Sequence, residues 1–369
     1  MGEESWVVIT EDYVLHPESV AYLDSLRGLD RSVNTERTYA GRMALYLSYC
    51  AEFGIDWTAP RIRQLQGLAR WLIEHPLPPK SRRLPAEPRF RSELAANAVL
   101  TTVGEFLRFG AANGWVAPEI AAQLSEPKHL RHLPRGFDPG EDDQFRVIRA
   151  RRIKYRLSVE GYEWLTDEQI DHLIALTGRA RDRLLITLLA CTGMRIGEAL
   201  GMRRHDMHLL TDSSSLGCRV AGPHVHVRRR RNANGAMAKA RMPRSIPVTE
   251  ELADAYAAYL IERDQVPEAA DVDFVFVNLF RQPLGRPLRY GNAKEMFDRL
   301  AKKAGFDARP HMLRHSAATR WVRSGTAREV VQDLLGHVSP SSMEPYLHAT
   351  DQDKREAVER VAATREVRI

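Results

Sequence analysis

The stretch "HMLRHS", residues 311 to 316, sets His311, Arg314 and His315 within six positions. Three chemistries fit such a cluster: a metal site, a phosphate clamp, or only a solvated helix face. The segment lacks the glutamate of an HExxH zinc helix, and Arg314 beside the imidazoles would repel a dication. His311 and Arg314 are three apart, so on a helix they share a face. A guanidinium beside an imidazole suits an anion: one gives fixed, permanently charged donors, the other a group that titrates near neutrality. From this stretch alone the solvated face stays open.

Other polar groups read more plainly. Glu141, Asp142 and Asp143 sit in a proline-bearing stretch, and Asp271 and Asp273 flank an apolar run. Neither group is the gathered carboxylate set of a two-metal nuclease. His224 and His226 alternate with Val225 and Val227, so they share one sheet face and read as surface groups rather than ligands. Arg228, Arg229 and Arg230 form a basic run near a turn, and Arg82 and Arg83 lie in "HPLPPKSRRLPAEPRFRS", a loop by its prolines. Each arginine set fits phosphate contact or a solvated charge run about equally.

The elements that must position these groups follow from length and pattern. A chain of 369 residues has room for about two domains. With 44% hydrophobic and 28% charged residues it is globular rather than disordered, and a net charge of +6 makes polyanions the leading partners. Three cysteines far apart form neither a disulfide framework nor a CxxC metal pair. The acidic start "MGEESWVVITEDY" is not a signal peptide, and no run of about 18 apolar residues is present to span a bilayer. A cytoplasmic location is expected.

The pattern divides the chain into an N-terminal extension (1–17), a helical region (18–128), a linker (129–162) and a second domain (163–369), mainly α with a small antiparallel sheet. In the helical region, "NTERTYAGRMALYLSYCAEFGI" opens on Asn34 or Thr35 as cap and carries Tyr39, Met43, Tyr46 and Leu47 at helical spacing. "RSELAANAVLTTVGEFLRFGAANG" repeats this with Leu94, Ala98, Val99, Phe106 and Leu107, stopping at Asn113-Gly114. In the second domain, Thr166 and Gln169 have capping-box spacing. "RDRLLITLLACTGMRIGEALGM" reads as a helix, a Thr-Gly break and a short helix. "GPHVHVRRRRNANGAMAKARMPRSIPV" reads as two strands about a Gly-Asn-rich connection, "DFVFVN" as a third strand, and four helical segments follow.

Taken together, "CTGMRIGEAL" (191–200), "HMLRHSAATRWVRSGTAREVVQDLLGH" (311–337) and "SSMEPYLHA" (341–349) resemble the tyrosine recombinase, or phage integrase, family. That family's pattern is an arginine in a TGxRxxE setting, an HxxR helix, an LLGH turn and a tyrosine nine residues past the last histidine. Here the interval is 346 − 337 = 9. Order and spacing agree over residues 187 to 348, and the several parts together make the match specific.

The resemblance implies that Arg195, His311, Arg314 and His337 surround a scissile phosphate, that Glu198 supports the cations, and that Tyr346 is the nucleophile. Lys239, eight residues before Pro247, matches the family's hairpin lysine, with Arg241 beside it as a further DNA contact. It also implies an all-α, SAM-like core-binding domain ahead of the catalytic domain, the two clamping duplex DNA. Cleavage would give a 3′-phosphotyrosyl link without metal, ATP or other cofactor. The expected assembly is a homotetramer on two DNA sites, with accessory DNA-bending or directionality proteins as possible partners.

The residue types suit that chemistry. Arginines hold non-bridging oxygens with several donors each and never lose their charge. A tyrosine hydroxyl, with a pKa of about 10, needs a base or nearby cations to attack at neutral pH, and His311 is placed for that. Pro345, where the family usually has a non-proline residue, pushes Glu344 away from helical geometry and is tolerated if Tyr346 begins a helix. Two alternatives stay open on the same fold: type IB topoisomerase-like relaxation, which rejoins the same strand, and a regulator that binds DNA without cutting. Taken singly, each motif residue also has an ordinary structural role, Arg195 as a helix cap and Tyr346 as a core aromatic among them.

Overall fold

The computed structural model describes residues 5–29, 31–78, 87–131, 144–157, 163–230, 232–236 and 243–336. The chain divides into two compact units, Met1–Val159 and Glu160–Ile369.

The first unit is a helical lobe: α1 (Pro17–Gly28), α2 (Val33–Glu52), α3 (Ile62–Glu74), α4 (Glu93–Ala112) and the short α5 (Pro118–Gln123). The cap of α2 is Ser32 rather than Asn34 or Thr35, because its hydroxyl accepts the Thr35 amide at 3.1 Å and starts the helix earlier. Ser92 caps α4 in the same way, and the helix ends on Asn113 with Gly114 at φ +77°. Met43, Tyr46, Val99, Phe106 and Leu107 are buried as their spacing requires, whereas Leu94 is exposed on the first turn of α4. Aromatic rings fill this core: Trp57 stacks on Phe106 at 5.1 Å, and Tyr22 lies 5.5 Å from the same ring.

Part of the segment read as a linker is ordered into this lobe. β1 (Ser125–His129) pairs antiparallel with β2 (Val147–Arg151), and the Tyr155 backbone donates to and accepts from the Asn97 amide on α4 at 2.8 and 3.0 Å.

The second unit holds the longer motif set. It opens with α6 (Asp167–Ala175), where Thr166 and Gln169 form the reciprocal capping box. Next come α7 (Ala180–Thr192) and α8 (Ile196–Leu200), then a three-stranded antiparallel sheet of β3 (Met207–His208), β4 (His224–Val227) and β5 (Arg244–Pro247) in that order. After it run α9 (Glu250–Asp264), α10 (Tyr290–Ala304), α11 (Pro310–Arg323) and α12 (Arg328–Leu335). α7 is buried nearly all round because α9 and α11 pack on it, which is why its sequence lacks a polar face.

"DFVFVN" is not a strand of this sheet. Val275, Phe276 and Val277 are fully buried, but the segment makes only isolated bridges, Arg203 to Phe274 and Val277 to Pro287. Some of its carbonyls go to side chains, Arg263 Nη1 donating to Phe274 and Val275 at 2.7 and 3.0 Å and the Tyr259 hydroxyl to Val275 at 2.6 Å, while those of Asp273 and Phe276 accept from the Arg204 and Leu288 amides. The third strand is the two-residue β3. Among the described residues no helix is long and apolar enough to cross a membrane.

Candidate active site

The site begins where α7 stops. Gly193 takes the left-handed conformation at φ +59°, and a Cβ there would lie 3.0 Å from Leu335 Cδ2 and 3.2 Å from Ala317 Cβ. Only glycine permits both the turn and this closeness. Two residues on, Arg195 is the N-cap of α8, its backbone N–H donating to Glu198 Oε2 at 2.9 Å. Its guanidinium reaches Glu198 Oε1 at 3.3 Å and stays about one-third exposed. The cap that turns the chain therefore also aims the arginine.

Glu198 is buried at 2% exposure. Arg244 on β5 grips it with Nη2 at 2.9 Å and Nη1 at 3.4 Å, while Arg244 Nε donates to the Leu334 carbonyl at 2.9 Å. Burial alone would raise the Glu198 pKa. The hydrogen bonds and charge of Arg244, joined by Arg195, outweigh it and hold the carboxyl below its ordinary value. Arg244 did not stand out in the sequence. Its signal was an arginine at an inward position of an alternating strand, on the same face as the buried Ile246.

Pro310 opens α11 and brings His311 and Arg314 to one side. "HMLRHS" is not a solvated face: residues 312 to 318 are buried and only His311 is exposed. Arg314, at 1% exposure, is the largest fully buried side chain described. It donates from Nη1 to the Gly193 carbonyl at 2.7 Å and from Nη2 to the Leu335 carbonyl at 2.9 Å. Both acceptors lie at helix C-termini, of α7 and α12, where the backbone dipole favours a cation by roughly 0.3–1 kcal/mol each. One guanidinium thus ties together the two turns that precede Arg195 and His337.

Desolvation of its ring, followed by the charges of Arg314 and Arg195, pushes His311 below the ordinary histidine pKa. The His315 ring meets it edge-on at 4.4 Å. Arg195, Glu198, His311 and Arg314 are accordingly brought to one place, two exposed to different degrees above two that are buried. Lys239, Arg241, His337, Tyr346, Arg82 and Arg83 lie outside the described residues.

Two other expectations change. Arg230 is paired through both terminal nitrogens with the buried Asp206, and Arg228 Nε lies 3.6 Å from the same carboxylate, so this run is partly committed within the protein. Arg229 also has a partner. His224 and His226 are not surface groups. His224 is fully buried and His226 half-buried, because the connection between β3 and β4 folds over them and brings in Cys218.

A mostly helical unit with a small antiparallel sheet thus gathers two arginines, a glutamate and a histidine, a donor set suited to an anion such as a phosphate. The phage integrase family profile matches residues 163–353, just over half of the chain. The chain belongs to the phage integrase family, the tyrosine-type site-specific DNA recombinases. It is 24% identical over 351 residues to "Transposase A from transposon Tn554" of Staphylococcus aureus, covering 95% of this chain and 92% of that one. It is 26% identical over 345 residues to "Tyrosine recombinase XerD" of Corynebacterium glutamicum, covering 93% and 96%. The fold is similar to the Tn1549 transposon integrase in complex with circular intermediate DNA, with TM-score 0.59 and 18% identity over 92% of this chain and 98% of that one. A lambda integrase dimer bound to a COC′ core site matches with TM-score 0.56 and 14% identity over 90% and 95%.

Proposed function

We propose that this enzyme carries out site-specific recombination by cutting and rejoining duplex DNA through a covalent 3′-phosphotyrosyl intermediate at Tyr346. The observation that carries this reading is the convergence of Arg195, His311 and Arg314 around the buried Glu198–Arg244 pair. Tyr346 Oη bonds to phosphorus, the bond from phosphorus to the 5′-oxygen breaks, and the two electrons leave with that oxygen. Neutral His311 takes the tyrosine proton, and Lys239 gives one to the departing 5′-oxygen, which leaves as a hydroxyl. The guanidiniums of Arg195 and Arg314 stabilise the extra charge on the non-bridging oxygens, with His337 as a further donor. A 5′-hydroxyl from the partner duplex reverses the step, so the bond energy is conserved and the scheme calls for neither metal nor ATP.

The helical lobe serves as a DNA-binding domain, with Arg82 and Arg83 on its loop and Arg229 and Arg241 in the second unit as phosphate contacts. The working assembly is a homotetramer on two sites. A nicked suicide duplex tests the chemistry: the chain should form a protease-sensitive covalent adduct, and Tyr346→Phe should abolish the adduct while retaining duplex binding. An adduct that survives this substitution assigns the nucleophile elsewhere.

A further inference from the structure

The three-stranded sheet has a second polar cluster. Residues paired across an antiparallel ladder share a face, so Val227 and Arg244 lie on one side while His208, His224 and His226 lie on the other. Cys218, from the connection between β3 and β4, joins these histidines. The four ligand atoms all lie within 4.8 Å of one another. We propose that His208, Cys218, His224 and His226 form a structural zinc site that fastens the β3–β4 connection onto the sheet.

Spacing supports a tetrahedral ion. With zinc–sulfur at about 2.3 Å and zinc–nitrogen at about 2.0–2.1 Å, neighbouring ligand atoms should lie roughly 3.3–3.6 Å apart. Cys218 Sγ is 3.3 Å from His224 Nε2 and 3.4 Å from His226 Nε2, and the two Nε2 atoms are 3.2 Å apart.

The tautomers point the same way. His224 Nδ1 donates to the Gly222 carbonyl at 2.7 Å, which leaves its Nε2 lone pair facing the cluster. His208 Nε2 donates to the His205 carbonyl at 3.2 Å. Its Nδ1 then carries a lone pair, and this buried atom has no hydrogen-bond partner although the residue is 6% exposed. Backbone bonds of this kind orient imidazoles for metal ligation.

Without an ion, protons supply only part of what the cluster needs. His224 Nε2 has none to give, and His208 Nδ1 stays unmet, a cost a buried polar atom rarely bears. Four protein ligands close the coordination shell, so the ion holds structure and takes no part in strand transfer.

The test uses the full chain and the metals alone. Protein purified without chelator should carry stoichiometric zinc. Replacing it with cobalt(II) should give the intense visible bands of tetrahedral cobalt and a thiolate charge-transfer band. Cys218→Ser should remove the charge-transfer band, whereas Cys50→Ser should leave it. Chelation should lower the melting temperature by roughly 5–10 °C, reversed by added zinc. The His226→Ala chain should show no such response. Should the variants fail to fold, the wild-type cobalt spectrum and zinc restoration still decide. A wild-type chain that retains no zinc or cobalt, gives an octahedral cobalt spectrum, or keeps its charge-transfer band in Cys218→Ser overturns the site.

Discussion

The two faces of one small sheet carry opposite kinds of polar cluster. On one face Arg244 anchors a set of guanidiniums around a single carboxylate. On the other, three imidazoles and a thiol meet, and the cluster itself holds no carboxylate. The first set holds surplus positive charge and suits a phosphate. The second holds surplus lone pairs and suits a metal ion. Burial sharpens both, since a charge or lone pair removed from water must find its complement. The sheet separates the two clusters, with Arg244 on β5 facing one way and His224 and His226 on β4 facing the other.

The comparison can be broken at the carboxylate first. Glu198→Ala strands the Arg244 guanidinium, whose side chain is 4% exposed, and should cost about 3–5 kcal/mol of stability in denaturant unfolding. A chain as stable as wild type would mean that the pair is not what holds this face together. Next in size, Arg195→Lys keeps a charge but loses the fork that the phosphate requires. Adduct formation should fall by on the order of 10²–10³ with little change in melting temperature. Unchanged cleavage with unchanged stability would remove Arg195 from the anion site.

The smallest effect is in pH. A lowered His311 pKa keeps the ring neutral further into acid, so the base is lost only as pH falls through that lowered value. Single-turnover cleavage should hold through pH 6.5 and decline below it. Arg314 and Arg195 are the cations that lower the value, so the acid limb of Arg195→Ala should move up towards 6.5. An acid limb indifferent to that substitution would separate His311 from the arginine cluster.

Much of this was legible before folding. The capping box of Thr166 and Gln169, the stop at Asn113-Gly114 and the break at Gly193 are local, and local backbone chemistry decides them. "DFVFVN" misled because an apolar run announces burial but not the partners of its carbonyls, which here include the Arg263 and Tyr259 side chains. His224 and His226 misled for a related reason. Alternation tells which residues share a face, but not whether a later loop covers it.

Residue type and spacing along the chain were enough to name the family, because each motif is read within a helical turn or a tight bend. Folding alone decided that Arg244 should neutralise Glu198 from 46 residues away and that Arg314 should join turns 121 and 21 residues distant. It also decided that the connection carrying Cys218 should fold back over His224 and His226 of β4. Such meetings depend on how strands pair and how helix ends converge, and no short-range pattern in a chain encodes where distant segments will touch.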